Sequence, residues 1–454
     1  MEKKILIIGA GPTGLGAAYR LAELGYRNWH IVEQHDYIGG LSASFRDAQG
    51  FTWDIGGHIL FSGYDYFTQL VDRLLANRYL EHVRNSWIWV LNRFVPYPFQ
   101  NNLRYLPKQA LWECLNGLWE TDQRHTDTPK NFREWIVRTF GHGIASYFML
   151  PYNEKNWATP LELMSYEWIA SRVSVVDFQR VLRNVVLEQD DTDWGPNRTF
   201  RFPRAGGTGA IYQAFLPTVH DHLTLNRKLT RIEPEQRRVT YTDGSVEDYD
   251  ILINTTPLTE FVARIHPANP QLIESAEQLR TTGALVVGIG LAHQCPSTKC
   301  WMYFPGEESP FYRVTYFSNY SPENVPGPNY YSLMCETSYS AFKSVDRSSV
   351  IEETIRGLIA THLLSEADRS RIVSTFLIDA EYAYPVPSLE RNQVLASIVP
   401  FLARMQIYTR GRFGLWLYEI GNMDHSVMQG VELVNRLLHD EQEKIIADFP
   451  FLTY

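Results

Sequence analysis

The sequence predicts an α/β protein: a Rossmann-like dinucleotide-binding domain, an inserted helical domain and a mostly antiparallel β-sheet domain. Three observations carry this. A buried strand at the N-terminus runs into a glycine-rich turn and a helix, the segment 103–187 has a helical and aromatic period, and 283–336 holds several β-branched and aromatic runs. At about 100–200 residues per domain, 454 residues make roughly two to four domains, each able to bury a core. With 44% hydrophobic residues the chain is not disordered, and a net charge of −9 leaves no electrostatic footprint for nucleic acid. No Lys/Arg run suited to anionic lipid is present. The four cysteines, Cys114, Cys295, Cys300 and Cys335, have no CxxC or zinc-like spacing, so reduced thiols and no metal are expected. No apolar run approaches the roughly 18 residues of a membrane helix, and Ile5-Leu6-Ile7-Ile8 is too short for a signal core. A soluble cytoplasmic protein, bound to neither nucleic acid nor membrane, is the expectation.

Ile5-Leu6-Ile7-Ile8 reads as a strand buried on both faces, and Gly9-Ala10-Gly11-Pro12-Thr13-Gly14 follows it directly, then a helix that Gly25 stops. This is G-x-G-x-x-G in its required context. Gly9 makes the tight turn, Gly11 lets a pyrophosphate approach the backbone, and Gly14 allows close helix packing with the helix N-terminus toward the phosphates. A second strand, Trp29-His30-Ile31-Val32, ends in Glu33, where a dinucleotide fold needs a carboxylate for the ribose hydroxyls. Two further glycine pairs, in Tyr37-Ile38-Gly39-Gly40-Leu41 and Asp54-Ile55-Gly56-Gly57-His58, would bring backbone against an extended cofactor, which favours FAD over NAD.

Further along, Phe132, Trp135, Ile136 and Phe140 share a helix face ahead of a Gly141-His142-Gly143 stop. Between 171 and 202 the chain is polar and punctuated by Gly and Pro, which predicts loops able to move over a site, near 171–176 and 193–198. Asp243-Gly244 predicts a hairpin, Ile251-Leu252-Ile253 another buried strand, and the runs 285–291, 301–304, 311–317 and 330–335 an antiparallel sheet. Ser349 and Glu352 are spaced as a capping box before a helix with Ile351, Ile355, Leu358, Ile359 and Leu363 on one face. After Gly421-Asn422-Met423 a helix buries Val427, Val431, Val434 and Leu438. Its positive N-terminal end would stabilise negative charge on a reduced flavin. The FAD domain is expected over 1–85, 203–280 and 405–454, the helical domain over 103–202, and the sheet domain over 86–102 and 281–404.

Longer blocks go beyond a generic flavoprotein signature: Val95-Pro96-Tyr97-Pro98-Phe99-Gln100-Asn101-Asn102, Pro151-Tyr152-Asn153, Trp194-Gly195-Pro196-Asn197, Phe200-Arg201-Phe202-Pro203, Tyr303-Phe304-Pro305, Phe311-Tyr312-Arg313, Tyr384-Pro385 and Arg410-Gly411-Arg412-Phe413-Gly414. In order and spacing, over nearly the whole chain, these resemble the UDP-galactopyranose mutases, particularly their eukaryotic-type branch, within the amine oxidase-like FAD superfamily. The chain is shorter than fungal-type members, chiefly between Asn319 and Glu336, and its oligomeric state stays open. The resemblance implies a flavin-dependent isomerase that interconverts UDP-galactopyranose and UDP-galactofuranose without net redox change. Reduced FAD would supply N5 as nucleophile, with NADPH or NADH as reductant.

Residue by residue, the resemblance places His58 in the loop against the flavin and makes Arg172 and Arg313 the diphosphate clamp, these three being the catalytic set. Tyr384 and Tyr418 would meet the diphosphate, Asn197 the galactose, and Arg412 and Asn422 both flavin and sugar. Phe148, Tyr152, Asn153 and Gln100 would form the uracil side, Trp157 and Tyr303 the pocket wall, and Tyr97 belongs to the same substrate-binding set. The FAD set is Gly9, Gly11, Thr13, Gly14, Glu33, Gly40, Leu41, Gly56, Gly57, His58, Leu229, Arg412, Gly421, Asn422, Met423 and Ser426. The rival readings are an FAD-dependent oxidase or desaturase of the same superfamily, a non-catalytic flavoprotein, and a mutase of another UDP-hexose. An oxidase explains the cofactor motifs but not the paired arginines.

Overall fold

The computed structural model describes residues 2–122, 128–169 and 173–452. Ile5–Ile8 is the middle of a five-stranded parallel sheet, in the order Ile407–Thr409, Ile251–Asn254, Ile5–Ile8, Trp29–Val32, Leu223–Thr224. Both faces are covered, so the middle strand is apolar at all four positions and buried along its length. The helix Pro12–Glu23 has Pro at its first position, where the missing N–H costs nothing, and ends beside Gly25. The Asp243-Gly244 hairpin forms between Arg238–Tyr241 and Val246–Asp248, with Gly244 at φ +77°.

The first helix and the last, Met423–His439, lie backbone against backbone. A Cβ on Gly16 would stand 2.5 Å from the Val427 carbonyl oxygen, and one on Gly430 would stand 2.2 Å from that of Thr13. Glycine at both crossings brings the two helices close enough for their N-termini to open side by side. A buried ion triad fixes the approach to the last helix: Arg410 is fully buried and forks onto Glu443 with two bonds of 2.7 Å, and Arg436 adds a third at 2.8 Å. Glu443→Ala would leave two cations without their buried carboxylate. A loss of about 3–5 kcal/mol is expected, read from urea denaturation of the purified protein.

A seven-stranded sheet runs Ile372–Pro385, Thr281–Leu291, Tyr331–Tyr339, Arg313–Tyr316, Trp301–Tyr303, Trp87–Val90, Arg93–Pro96. It is antiparallel except where Trp301–Tyr303 meets Trp87–Val90. In Thr281–Leu291, Leu285, Val287, Ile289 and Leu291 face one core, and the glycines between them face the other. There a Cβ on Gly288 would strike the Trp53 ring at 2.5 Å and one on Gly290 the Phe51 ring at 2.7 Å. The alternation thus docks Phe51 and Trp53 on the sheet and delivers the Gly56-Gly57 turn onto its inner strands, Tyr331–Tyr339 and Arg313–Tyr316.

The helical insert holds Lys108–Asp122, Phe132–Ile144 and Leu150–Trp157, joined by a π turn at Ala145–Met149, with Phe132, Ile136 and Phe140 in its core. Several expectations are corrected here. The glycines at 141 and 143 do not stop the helix. Gly141 kinks it at φ +70°, and both glycines let it press against Gly117 and Cys114 of the preceding helix. Within 171–202, Phe178–Val186 is a helix capped by Asp177, inside the helical period read over 103–187, whereas Thr199–Pro203 is a strand paired with Tyr79–Val83 where loop was expected. Ser349 forms no capping box, because its backbone is helical (φ −104°, ψ −11°) and its hydroxyl bonds Glu353. The helix Arg391–Arg404, expected with the antiparallel sheet, buries Val394, Leu395, Ile398 and Leu402 in the core of the parallel one.

Candidate active site

One cavity of about 960 Å³ runs from the Gly9–Gly14 turn across both helix N-termini to the antiparallel sheet. At its first end Gly9, at φ +99°, turns the chain, and Gly14 packs so tightly that a Cβ would stand 1.9 Å from the Gly9 carbonyl oxygen. Gly14 therefore shapes the turn without lining the cavity. Gly11 differs: a Cβ there would meet nothing nearer than 3.9 Å, which leaves the room a phosphate group needs. Glu33 is 8% exposed and accepts the Ala10 and His35 amides at 2.8 and 3.0 Å, one on each oxygen, so each oxygen keeps a lone pair. Arg227, stacked 4.0 Å over Tyr241, completes this end.

A flavin dinucleotide fits these residues. Neither Gly11 nor Asn422, the N-caps of the first and last helices, uses a side chain to satisfy the helix amides, and both open into the cavity. Unsatisfied N–H groups at two helix ends suit a pyrophosphate and a ring that takes negative charge on reduction. Nδ1 of His58 is buried without a partner beside them.

At the far end, Arg313 forks onto Glu336 with Nε and Nη2 donating at 2.7 Å each. The Tyr312 hydroxyl donates to Glu336 at 2.7 Å and lies 3.0 Å from the Tyr384 hydroxyl. Arg412 is held by the Ala383 and Gly421 carbonyls at 3.1 and 3.0 Å, between the rings of Tyr384 and Tyr418. Burial pushes the His58 imidazole down to about 4, with Arg313 and Arg412 adding to the shift against Glu336, so the ring is neutral at neutral pH. Burial would raise the Glu336 carboxyl, but the Arg313 charge holds it below the usual range. Burial raises Tyr384, which stays a protonated donor.

Asp54, fully buried, accepts from the Ser44 hydroxyl and from the Thr208 amide at 3.2 Å, and burial pushes it up to about 6. An unfolded Asp titrates near 3.9, so the folded state prefers the proton. The resulting stabilisation is complete below about pH 4 and is lost as pH rises through about 6. Asp54→Asn is therefore expected to gain up to about 3 kcal/mol on wild type between pH 4 and pH 8, measured by denaturation across that range.

Of the expected residues, Gly9, Gly11, Thr13, Glu33, Gly40, Leu41, Gly56, Gly57, His58, Leu229, Arg412, Gly421, Asn422, Met423 and Ser426 line the cavity, as do Asn197, Tyr303, Arg313, Tyr384 and Tyr418. Arg172 lies outside the described residues. Tyr97, Gln100, Phe148, Tyr152, Asn153 and Trp157 do not line it. They form an aromatic wall behind it: Tyr97 and Tyr152 meet Tyr303 at 5.5 and 5.3 Å, Phe148 stacks on Tyr152, and Trp157 meets Tyr418 at 5.0 Å. The side-chain NH2 groups of Gln100 and Asn153 each donate to a backbone carbonyl, those of Ser174 and Met149, at 2.6 and 2.7 Å.

Sequence reasoning missed Arg84, Tyr312 and Glu336. Arg84 stacks over Tyr97 at 4.9 Å and holds the 192–197 loop through the Thr192 and Trp194 carbonyls and the Asn197 side chain, at 2.8, 2.5 and 2.6 Å. No local pattern marks it. Glu336 had a signal, the one charged residue in a strand whose β-branched and aromatic pattern reads as buried.

The model of the flavin containing amine oxidoreductase family matches residues 12–385. The crystal structure of a reduced UDP-galactopyranose mutase superposes with a TM-score of 0.95 at 45% identity, covering 100% of this chain and 99% of that one. A fatty acid isomerase from P. acnes shares the fold alone, at TM-score 0.65 and 16% identity, over 96% of this chain and 99% of its own. Among curated proteins, the 15-cis-phytoene desaturase of Glycine max is 33% identical over 115 residues, 25% of this chain, so the match spans about a fifth (19%) of that relative. Among the described residues no helix is long and apolar enough to cross a membrane.

Proposed function

The chain belongs to the UDP-galactopyranose mutases within the flavin-containing amine oxidoreductase family, and on that premise we propose that it interconverts UDP-galactopyranose and UDP-galactofuranose. One observation carries the substrate side. The cavity that takes the cofactor continues to a guanidinium, Arg313, and is lined there also by Tyr384 and Tyr418, an anion site that an oxidase or desaturase of apolar substrates has no use for. FAD in its two-electron reduced form supplies the nucleophile for the anomeric carbon, and a nicotinamide dinucleotide, NADPH or NADH, is the reductant.

The protein's own residues bind, orient and exclude water. Arg313 presents Nη1 to the diphosphate, with Arg172 as its proposed second arm, because a chain of net charge −9 draws a dianion only with placed donors. Tyr384 stands in the same cluster, its hydroxyl 3.0 Å from that of Tyr312. Neutral His58 adds no competing cation beside the ring. The N-terminus of Met423–His439 favours negative charge on the reduced cofactor. Asn197, on the loop that Arg84 pins, covers the sugar and keeps out water that would divert the reaction to hydrolysis. The aromatic wall around Phe148 and Tyr152 backs the uracil. The four free cysteines suit a cytoplasmic setting.

The test reduces the yellow protein with dithionite or NADPH, adds UDP-galactofuranose and follows UDP-galactopyranose by chromatography. Many turnovers per reduction are expected. Full activity of the oxidised enzyme, or one NAD(P)H consumed per product, would move the reading to an oxidoreductase.

A further inference from the structure

Glu336 is 2% exposed and lies in the centre of Tyr331–Tyr339. An ionised carboxylate has about four lone-pair sites, and here four donors use them. Arg313 Nε and Gly57 N, at 2.7 and 3.1 Å, donate to Oε1; Arg313 Nη2 and the Tyr312 hydroxyl, both at 2.7 Å, donate to Oε2. The donors come from two separate parts of the fold, the neighbouring strand with its anion-facing arginine and the glycine turn leading to His58. The turn lies directly on the carboxylate, since a Cβ on Gly56 would stand 3.3 Å from Oε2 and one on Gly57 3.4 Å from Oε1. Arg313 spends Nε and Nη2 on this fork, and its Nη1 edge has no protein acceptor among the described residues.

We propose that Glu336 is a positioning residue that makes Arg313 and the Gly56–His58 turn one unit, so that an anion on Arg313 and the redox state of the flavin influence each other through it. This rests on the UDP-sugar reading above. A dianion on Nη1 competes with Glu336 for the guanidinium charge, which frees the carboxylate to tighten on the Gly57 amide. The turn, Glu336 and Arg313 line the cavity that the flavin would share with the anion, so a shift of the turn on either side is carried to the other through the carboxylate. Coupling of this sort is reciprocal.

The experiment titrates UDP into oxidised and reduced holoenzyme, by equilibrium dialysis, and measures the flavin midpoint potential with and without UDP. In wild type, UDP is expected to bind roughly tenfold more tightly to the reduced form, equivalent to a rise of about 30 mV in the two-electron potential. In Glu336→Gln, where one acceptor oxygen becomes an amide donor, flavin is retained and the ratio falls to about one. Tyr312→Phe, which removes a single donor outside the link, keeps the wild-type ratio. If Glu336→Gln does not fold, Gly57→Ala reads the link from the other end, because its Cβ would stand 2.9 Å from Thr315 Oγ1 and push the turn off the carboxylate. A wild-type ratio in Glu336→Gln, or in Gly57→Ala, overturns the proposal and leaves the mutase reading intact. Absence of UDP binding by wild type in either redox state overturns both.

Discussion

Arg313→Ala is expected to lower UDP affinity and kcat/KM by about two to four orders of magnitude, from the loss of two charge-assisted hydrogen bonds worth about 1.5–3 kcal/mol each. The same substitution is also expected to destabilise the fold by about 3–5 kcal/mol, because Glu336 would be left buried without its cation. The two effects separate in one variant more. Arg313→Lys keeps a charge near Glu336 but cannot form a fork, so it should recover more of the stability than of the UDP affinity. Paired measurements, thermal unfolding of each variant and UDP titration of the reduced enzyme, check this. An Arg313→Ala enzyme that binds UDP like wild type would remove Arg313 from the substrate site.

Gly11→Val should yield a folded and colourless protein, whereas Gly14→Ala should not fold at all. The difference lies in what surrounds each position. Around Gly11 the nearest atom to an added Cβ is 3.9 Å away, so a side chain there occupies the path of the cofactor phosphates and displaces nothing in the protein. At Gly14 the added carbon would sit 1.9 Å from the Gly9 oxygen, and only separation of the first strand from its helix would relieve the clash. Expression, circular dichroism and the flavin absorbance of the purified proteins distinguish the outcomes. A yellow Gly11→Val protein would show that the cofactor takes another route through the cavity.

The contrast between these glycines also explains how much could be read in advance. The first 58 residues were legible because strand, turn, helix and acidic residue are set by short-range geometry, and each glycine there has a local reason. The substrate half was legible only as matching blocks, and its wiring was not, since the Arg313 fork, the Tyr312 hydroxyl and the Gly57 amide meet on Glu336 from segments far apart in the chain. Spacing alone misled at Ser349, where the pattern of a cap is present but the backbone is helical instead of extended. The helix Phe178–Val186 falls inside the helical period read over 103–187, and it was the overlap with the Gly- and Pro-punctuated stretch 171–202 that blurred its bounds. Nor did the residue types of Gln100 and Asn153 announce that each side chain gives an N–H to a backbone carbonyl, those of Ser174 and Met149.

The contact between the first and last helices has a further meaning in time. Ile5–Ile8 pairs with Ile251–Asn254, which pairs in turn with Ile407–Thr409, and Gly16 receives Val427. On a ribosome adding about 5–20 residues per second, the apolar Ile5–Ile8 strand waits roughly 10–50 s for its partner at 251–254. The helix that completes the flavin cavity emerges later still. A nascent chain therefore carries the glycine turn long before it can hold the cofactor, and its strand edges need shielding by a chaperone until then. Flavin capture is the closing act of biosynthesis for this protein, and chains stalled before Val434 are expected to accumulate as colourless clients of the folding machinery.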